Sequence, residues 1–328
     1  MSFRLRATIA VLLTLFGFVL IAPLIFPLPP LNTVPATDLA DESSQFLEID
    51  GFNIHYKRAT LETTGALNLV LIHGFGSSLY TWHEVIDILG QAGQVIAYDR
   101  IGYGLSSRPL KKEWQGENPY TPEAQPKIAQ ELMDEVGFVE AVLIGHAAGA
   151  AVALELALEH PEKVTGLILV DAAIYEGSTA PAWVRPLLST PQFNRLGPLF
   201  MRSIAGEPGT LFLRTAWHNP ENLSDQTLAA YQQPYQVDNW DKALWEISKA
   251  SRKPKFAERL NELSVPTLVI SGAEDSIVAP ELSERLATEI KGADFALFED
   301  CGHIPQEECS TAFADVVLDW LFTSVYKN

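Results

Sequence analysis

The stretch at residues 145–149, Gly-His-Ala-Ala-Gly, constrains the fold of this chain more than any other. An apolar run at 141–144 precedes it, and a helical segment of mostly small, apolar residues follows it up to residue 159. A strand, a one-residue corner and a buried helix in this order indicate a nucleophile elbow, which lifts the central side chain above a parallel sheet. The flanking glycines would let the strand and the helix pass closely. The pattern reads Gly-x-Ser-x-Gly, but position 147 is alanine, which has no atom able to attack a substrate.

The composition is that of an ordinary globular protein. The chain has 328 residues, of which 47% are hydrophobic and 20% charged, so a substantial core is expected. Its formal net charge of −18 disfavours nucleic acid as a partner and argues against electrostatic docking on anionic lipid. Cys301 and Cys309 cannot form a zinc site alone, and free buried thiols are favoured over a single local disulfide.

The N-terminal region predicts a membrane anchor. Arg4 and Arg6 precede an uncharged apolar run at 7–26 whose length suits a membrane-crossing helix, so residues 1–30 are predicted to anchor the chain in a lipid bilayer. The arginines predict a cytoplasmic N-terminus and an extracytoplasmic catalytic domain. A cleaved signal peptide, which would give a secreted protein, stays the alternative. Residues 31–45 are predicted as a linker that does not pack.

The folded part is expected to begin with a β-hairpin. Residues 46–49 and 52–57 alternate in polarity on either side of Asp50-Gly51, which is a favoured hairpin turn. The alternation places His55 on the polar face, where we expect it to be exposed to solvent.

Further along the chain, strand-like runs alternate with helical segments, which predicts an α/β fold with a doubly wound, mostly parallel sheet. The alternation breaks over residues 172–263, which have many prolines and aromatic residues and no strand-like run. This stretch is predicted as an inserted helical cap, so the α/β core would comprise residues 46–171 and 264–328.

Several short motifs come directly after predicted strands. They are His-Gly-Phe-Gly at 73–76, Asp-Arg-Ile-Gly-Tyr-Gly-Leu-Ser at 99–106, the elbow at 145–149, Ser-Gly-Ala-Glu-Asp at 271–275 and Gly-His-Ile-Pro at 302–305. In this order they resemble the motifs of the α/β-hydrolase superfamily, in its capped, proline-aminopeptidase-like or carbon–carbon-hydrolase-like branch. The resemblance extends from residue 46 to the C-terminus and implies a ligand site beyond the carboxyl ends of the strands.

The resemblance implies a role for each motif. His303 would be the general base, and Asp275 would orient it and stabilise the imidazolium. Asp171, which follows an earlier strand, is the alternative acid. The backbone N–H groups of Phe75 and Ala148 would form an oxyanion hole, which needs no side chain.

Other motif residues are expected to be structural. We expect His73 to brace its own loop, and Asp99 and Arg100 to tie down the loop that follows them. His146 is expected to point into the sheet beside the elbow.

The implied activity is hydrolysis of a small, fairly apolar ester, amide, epoxide or carbon–carbon substrate, with no cofactor, metal or protein partner. Because Ala147 replaces the nucleophile, and loss of that serine typically lowers turnover about a million-fold, ordinary serine-hydrolase activity is not expected. Three interpretations of the alanine stay open. A serine was replaced by engineering, the chain is a natural ligand-binding pseudoenzyme, or His303 and Asp275 act as a base without a nucleophile, as in dioxygenases and some lyases of the superfamily.

Overall fold

An eight-stranded sheet lies at the centre of the computed structural model, which describes residues 3–60, 67–175, 183–252 and 256–326. The strands are β1 Gln45–Ile49, β2 Phe52–Thr60, β3 Leu67–Ile72, β4 Gly93–Tyr98, β5 Ala141–His146, β6 Val164–Val170, β7 Thr267–Gly272 and β8 Asp294–Phe298. Their order across the sheet is β1-β2-β4-β3-β5-β6-β7-β8. The pairs β1–β2 and β2–β4 are antiparallel, and the other neighbouring pairs are parallel. The predicted α/β fold with a mostly parallel sheet is confirmed.

Some helices cover the two faces of this sheet and others lie outside it. They are α1 Phe3–Ile25, α2 Ile86–Leu89, α3 Ala124–Glu135, α4 Ala148–Glu159, α5 Arg185–Leu188, α6 Pro191–Ala205, α7 Glu207–Ala216, α8 Asp225–Gln232, α9 Trp240–Ala250, α10 Pro280–Glu289, α11 Pro305–Glu308 and α12 Ser310–Trp320. Short helical turns lie at Ala36–Leu39, Leu79–Trp82, Pro161–Lys163, Pro220–Asn222, Gln233–Gln236, Phe256–Glu258, Leu260–Glu262 and Leu321–Val325. Helices α3, α4 and α10 pack on one face, and α2 and α12 pack on the other.

The apolar strands are explained by this two-sided burial. In β3, Val70 and Ile72 belong to the core under α3 and α4, whereas Leu69 and Leu71 belong to the core under α2 and α12. Successive side chains of a strand point to opposite faces, so a strand that is covered on both faces reads as a continuous apolar run.

The predicted hairpin is confirmed, but the prediction for one of its residues is wrong. Asp50 and Gly51 both have positive φ, as the tight turn between β1 and β2 requires. His55 is only 3% exposed, and its Nδ1 lies 2.7 Å from Oδ2 of Asp99. The loop that follows β4 covers this face of the hairpin, because the His55 N–H also donates to the Ser106 hydroxyl at 2.9 Å.

The described residues between β6 and β7 form helices α5 to α9, which we call the cap; residues 176–182 and 253–255 of the predicted cap lie outside the described residues. Helix α6 packs closely on α9, since a Cβ at Gly197 would lie 2.1 Å from the Trp245 ring. Met201, Trp240 and Leu244 are buried with Trp245 in a separate apolar cluster. Tyr103, from the loop after β4, belongs to the same cluster, which therefore joins the cap to the rest of the fold.

The apolar N-terminal run forms helix α1, which lies against α6 of the cap. Among the described residues, no helix is both long enough and apolar enough to cross a membrane. The predicted transmembrane anchor, and with it the lipid bilayer as a partner, is therefore not supported. The helix contains Pro23 near its end.

The prediction that residues 31–45 do not pack is wrong. Residues 26–39, which we call the N-terminal strap, lie along the cap. The Val34 N–H donates to the Gln236 carbonyl at 2.8 Å, and the Val34 carbonyl accepts from the Asp238 N–H at 3.1 Å. Arg202 of α6 donates to the Pro29 carbonyl at 2.6 Å. Main-chain pairing of this kind depends little on side-chain composition, so a polar, proline-rich segment can dock through it.

Candidate active site

The corner between β5 and α4 has the geometry of the predicted elbow. Ala147 has φ 49° and ψ −114°, a combination that L-residues rarely adopt. Its N–H donates to the Val170 carbonyl at 2.9 Å, which holds the corner against β6. A Cβ at Gly145 would lie 2.5 Å from the Gly149 carbonyl oxygen, and one at Gly149 would lie 2.2 Å from that of Ile72. The expectation that both glycines permit a close passage of strand and helix is therefore confirmed.

The structure brings His303 and Asp275 into direct contact. The Nδ1 atom of His303 lies 2.7 Å from Oδ2 of Asp275, and both side chains are buried. The other oxygen of Asp275 accepts the N–H groups of Ile277 at 2.7 Å and Val278 at 3.0 Å. Burial by itself would raise the pKa of Asp275, but the hydrogen bond and charge of His303, together with these N–H groups, lower it below its usual value. The carboxylate is thus ionised and fixed in orientation.

Asp171, the alternative acid, lies behind this pair and makes different contacts. It follows β6 with a φ of 43°, is fully buried, and accepts the Ser271 hydroxyl at 3.0 Å and the Gly272 N–H at 3.1 Å. Burial, followed by the negative charge of Asp275, raises the pKa of Asp171 well above its usual value. The two carboxyl groups therefore differ in acidity, and Asp275 is the one that ionises more readily.

His146 is a site residue whose position the sequence analysis missed. It lines the cavity rather than pointing away from it, and its Nε2 lies 2.7 Å from the backbone carbonyl of His303. Burial, followed by the proximity of His303, lowers the pKa of His146 to about 3. The ring is therefore neutral at physiological pH, and its Nε2–H donates to the loop that carries His303. Its place directly before the elbow was the available signal.

The loop after β3 brings the Phe75 backbone to the elbow. A Cβ at Gly74 would lie 3.2 Å from the Cβ of Ala147, so this loop and the corner are in close contact. Phe75 and Ala148 both line the cavity beside Ala147. Ala148 is the first residue of α4, so its N–H has no acceptor within the helix. Among the described hydrogen bonds, neither N–H has a protein acceptor.

The neighbouring motif residues make the structural contacts that were expected of them. His73 accepts the Arg100 N–H at 3.1 Å through Nε2 and contacts the Gly74 carbonyl through Nδ1 at 2.8 Å. Asp99 accepts the N–H groups of Leu79 and Leu105, each at 2.7 Å. These contacts hold the loops on either side of the cavity in place.

The expectation of free thiols is wrong, because Cys301 and Cys309 form a disulfide. Their Cα atoms lie 6.3 Å apart, within the range that a disulfide spans. The intervening loop turns into helix α11 and returns the chain to its starting point, a fold-back that spacing alone does not reveal. The closed loop contains His303.

A cavity of about 490 Å³ lies between the elbow and the cap. The described residues that line it include no aspartate, glutamate, lysine or arginine, and most are apolar. They are Phe75, Gly76, Ser77, His146, Ala147, Ala148, Ala173, Met201, Ile204, Ala205, Pro208, Gly209, Thr210, Phe212, Leu213, Ala216, Leu228, Tyr231, Gln232, Tyr235, Leu244, Ile277, Val278, His303 and Ile304. The lining suits a small, uncharged and largely apolar ligand.

One group of metal-binding residue types lies close together at this site. Potential ligand atoms of His146, Asp171 and His303 lie within 4.8 Å of one another. Both histidines already use a ring nitrogen in the hydrogen bonds described above, with the His303 carbonyl and with Asp275. We assign no metal to the group, because its three residues are accounted for as the base, the residue that binds the base's backbone and the buried carboxyl group behind them.

Comparisons with known proteins agree with this geometry. A family model for the alpha/beta hydrolase fold matches residues 68–309. The 2-hydroxymuconate semialdehyde hydrolase of Pseudomonas sp. (strain CF600) is 30% identical over 275 residues, which covers 80% of this chain and 90% of the hydrolase. The enol-lactonase of Burkholderia xenovorans LB400 superposes with a TM-score of 0.68 at 22% identity, covering 85% of this chain and 100% of the lactonase. The epoxide hydrolase CorEH superposes with a TM-score of 0.67 at 22% identity, covering 85% and 98% of the two chains.

Proposed function

The chain belongs to the α/β-hydrolase fold family, and from this premise we propose that its cavity binds a small, uncharged and largely apolar carbonyl compound or epoxide. In this proposal His303, oriented by Asp275, is the base, and the N–H groups of Phe75 and Ala148 are the oxyanion donors. Ala147 leaves the site without a nucleophile, so the chain holds its ligand without ordinary serine-hydrolase turnover.

The observation that carries the proposal is the intact surroundings of Ala147. The strained corner at Ala147, Phe75, Ala148 and His303 all line one cavity, and His303 is held by its hydrogen bond of 2.7 Å with Asp275. Strain at such a corner costs free energy and is ordinarily kept where it serves a site. The similarity to a carbon–carbon hydrolase, an enol-lactonase and an epoxide hydrolase supports the substrate class.

The mechanism would follow from these positions. The ligand's carbonyl oxygen would accept the two N–H groups, which stabilise the negative charge that develops there. The Nε2 atom of His303 would face the carbonyl carbon of the ligand, while its Nδ1–H is held by Asp275. With a hydroxyl at residue 147, His303 would remove its proton during attack and return it to the leaving group.

The experiment is to supply the missing atom with Ala147→Ser. We expect this variant to react with a fluorophosphonate probe and to hydrolyse short p-nitrophenyl esters, at least about a thousandfold faster than the parent chain. The corner already has the backbone that a serine would need, so the fold should be retained. Mass spectrometry of the intact protein would detect the added phosphonyl group.

The control is Ala147→Ser combined with His303→Ala, which should lose both signals because a serine without its base is weakly nucleophilic. A folded Ala147→Ser protein that stays unlabelled would contradict the proposed roles. The cavity would then be that of a binding protein alone.

A second candidate is base catalysis without a nucleophile. The intact hydrogen bond between His303 and Asp275 favours it, since a purely binding protein has no use for an oriented imidazole. Here His303 would take a proton from water or from a carbon next to the ligand's carbonyl group. The parent chain should then slowly incorporate deuterium from D₂O into a bound ketone, and His303→Ala should stop it.

A further inference from the structure

The loop that carries His303 is joined to the end of cap helix α7 through the carboxylate of Glu308. Its Oε2 accepts the N–H of Gly302 at 2.8 Å and the N–H of His218 at 3.0 Å. Its Oε1 accepts the N–H of Asn219 at 2.7 Å. One carboxylate therefore bridges the backbone beside His303 and the backbone of the cap, through hydrogen bonds of the stronger, charge-assisted kind.

The two segments also meet backbone to backbone. The His303 N–H donates to the Ala216 carbonyl, the last residue of α7, at 2.7 Å. A Cβ at Gly302 would lie 2.5 Å from the Ala216 carbonyl oxygen and 2.6 Å from the His218 nitrogen. At this distance there is no room for a side chain between residue 302 and the cap backbone. The alignment of the two segments therefore depends on the polar groups that bridge them.

These contacts hold the backbone of His303 from both sides. Its N–H is bound by Ala216 of the cap, and its carbonyl is bound by His146 of the elbow. Glu308 completes the arrangement, because it binds the residue before His303 and the two cap residues after Trp217. A small displacement of this backbone would move the imidazole relative to residue 147.

We propose that Glu308 is a positioning residue, which keeps His303 in register with the elbow by bridging its loop to the cap segment 216–219. The proposal rests on the proposed function, in which His303 is the base. It also makes the cap more than a lid over the cavity, because a movement of the end of α7 would be transmitted to the base.

The neighbouring glutamate, Glu307, does not share these contacts. Glu307 is buried and faces the other way, where its carboxyl group accepts the Thr81 hydroxyl at 2.7 Å and contacts the Tyr231 hydroxyl. Burial raises the pKa of Glu307 to about 8, so it favours the neutral form at pH 7. It offers no charge to the cap backbone.

The first test uses the parent chain and does not depend on turnover. In Glu308→Gln one carboxylate oxygen becomes an NH₂ group, which cannot accept the N–H groups that face it. We expect the amide protons of Gly302, His218 and Asn219 to exchange at least about tenfold faster with solvent. We also expect the low-field NMR signal of the His303 Nδ1–H to shift or broaden. Glu221→Gln, an exposed glutamate in the following cap turn, is the matched control and should change neither.

The second test measures catalysis in the Ala147→Ser background. Glu308→Gln should lower kcat for a p-nitrophenyl ester about ten- to a hundredfold, as misplacement of a catalytic group does, with KM changed less than about twofold. Glu308→Asp keeps the charge and should recover part of the loss. It also serves as the second variant if Glu308→Gln folds poorly.

The outcomes separate the two proposals. Faster amide exchange in Glu308→Gln with an unchanged His303 signal and unchanged kcat would overturn the positioning role and leave Glu308 a structural tie. An Ala147→Ser protein without activity would contradict the proposed function, while the His303 signal in the parent chain would still decide whether Glu308 positions it.

Discussion

The carboxyl edge of the sheet and the helical cap face each other across one cavity, but they are held together by different kinds of contact. At the sheet edge, backbone segments approach one another so closely at glycines that a Cβ would not fit between them. Buried groups such as Asp275 and His303 have specific hydrogen-bond partners there. The cap faces the cavity with apolar side chains, and some of them, such as Phe212, are half exposed.

This difference indicates how the work is divided. Reacting groups must be placed within fractions of an ångström, which requires close-packed backbone and saturated hydrogen bonds. Apolar side chains exclude water and set the shape of the cavity, and they tolerate exchange for others of similar volume. The sheet edge should therefore be sensitive to single atoms and the cap should be tolerant.

The largest effect on stability should come from one methyl group added at the elbow. In Gly149→Ala the new Cβ would lie 2.2 Å from the Ile72 carbonyl oxygen, which belongs to the centre of the sheet and cannot move away. We expect a loss of about 3 kcal/mol or more in the free energy of unfolding, measured by urea denaturation.

The matched change in the cap is Gly209→Ala in α7. There the Cβ would lie 3.0 Å from the Ile204 carbonyl oxygen, a contact that a shift of a few tenths of an ångström relieves. Alanine also has the higher helix propensity, so the stability should stay within about 1 kcal/mol of the parent. Equal losses from the two alanines would remove the contrast between the regions.

Within the sheet edge, the two carboxyl groups should differ in their effect on kcat. In the Ala147→Ser background, Asp275→Asn should lower kcat about ten-thousandfold, because the imidazole loses its oriented partner. Asp171→Asn should lower it less than about tenfold, since the carboxylate hydrogen-bonded to the His303 ring is that of Asp275. The reverse ranking would move the role of the acid to Asp171.

Asp171 should also change how the stability of the protein depends on pH. The pKa of Asp171 is raised in the folded state, so at pH values above the ordinary pKa of an aspartate the folded state binds more protons than the unfolded state. The contribution of Asp171 to stability therefore falls as the pH rises. Asp171→Asn should therefore be more stable than the parent at pH 7, and the gain should disappear below about pH 4. Denaturation curves at the two pH values measure it, and a gain that persists in acid would contradict the assignment.

The smallest effect should come from the cap. Phe212→Ala removes a ring that lines the cavity, which should raise KM for longer p-nitrophenyl esters in Ala147→Ser by about tenfold or less and leave kcat nearly unchanged. Phe193→Ala, an exposed ring of α6 outside the cavity lining, is the control and should change neither constant. A loss of kcat with Phe212→Ala as large as that of Asp275→Asn would show that the cap is not tolerant.

Sequence reasoning succeeded where a local pattern and the structure depend on the same few residues. The elbow could be predicted because Gly145 and Gly149 permit a corner that other residues block. The sheet could be predicted because strands buried on both faces read as apolar runs. The turns that place Asp275 and His303 after neighbouring strands were also visible as short motifs.

It failed where a residue's environment comes from distant parts of the chain. His55 reads as a solvent-facing strand residue, and only the loop that follows β4 buries it against Asp99. The Cys301–Cys309 disulfide depends on how the intervening loop turns. The hydrogen bond from His146 to the His303 backbone joins two motifs whose distance in space no spacing rule gives.

The N-terminal strap limits how the cap of this protein can be exchanged for another. Because Val34 pairs with the cap backbone at Gln236 and Asp238, and Arg202 binds Pro29, the wall of the cavity is stabilised by a segment that precedes the whole sheet in sequence. The cap thus depends on contacts with the N-terminal strap, a separate stretch of chain, and is not a self-contained insertion. A recombination event or a domain graft that exchanged only the stretch between β6 and β7 would leave these hydrogen-bonding groups without partners. Transfer of this cap to a relative should therefore require that the strap be transferred with it.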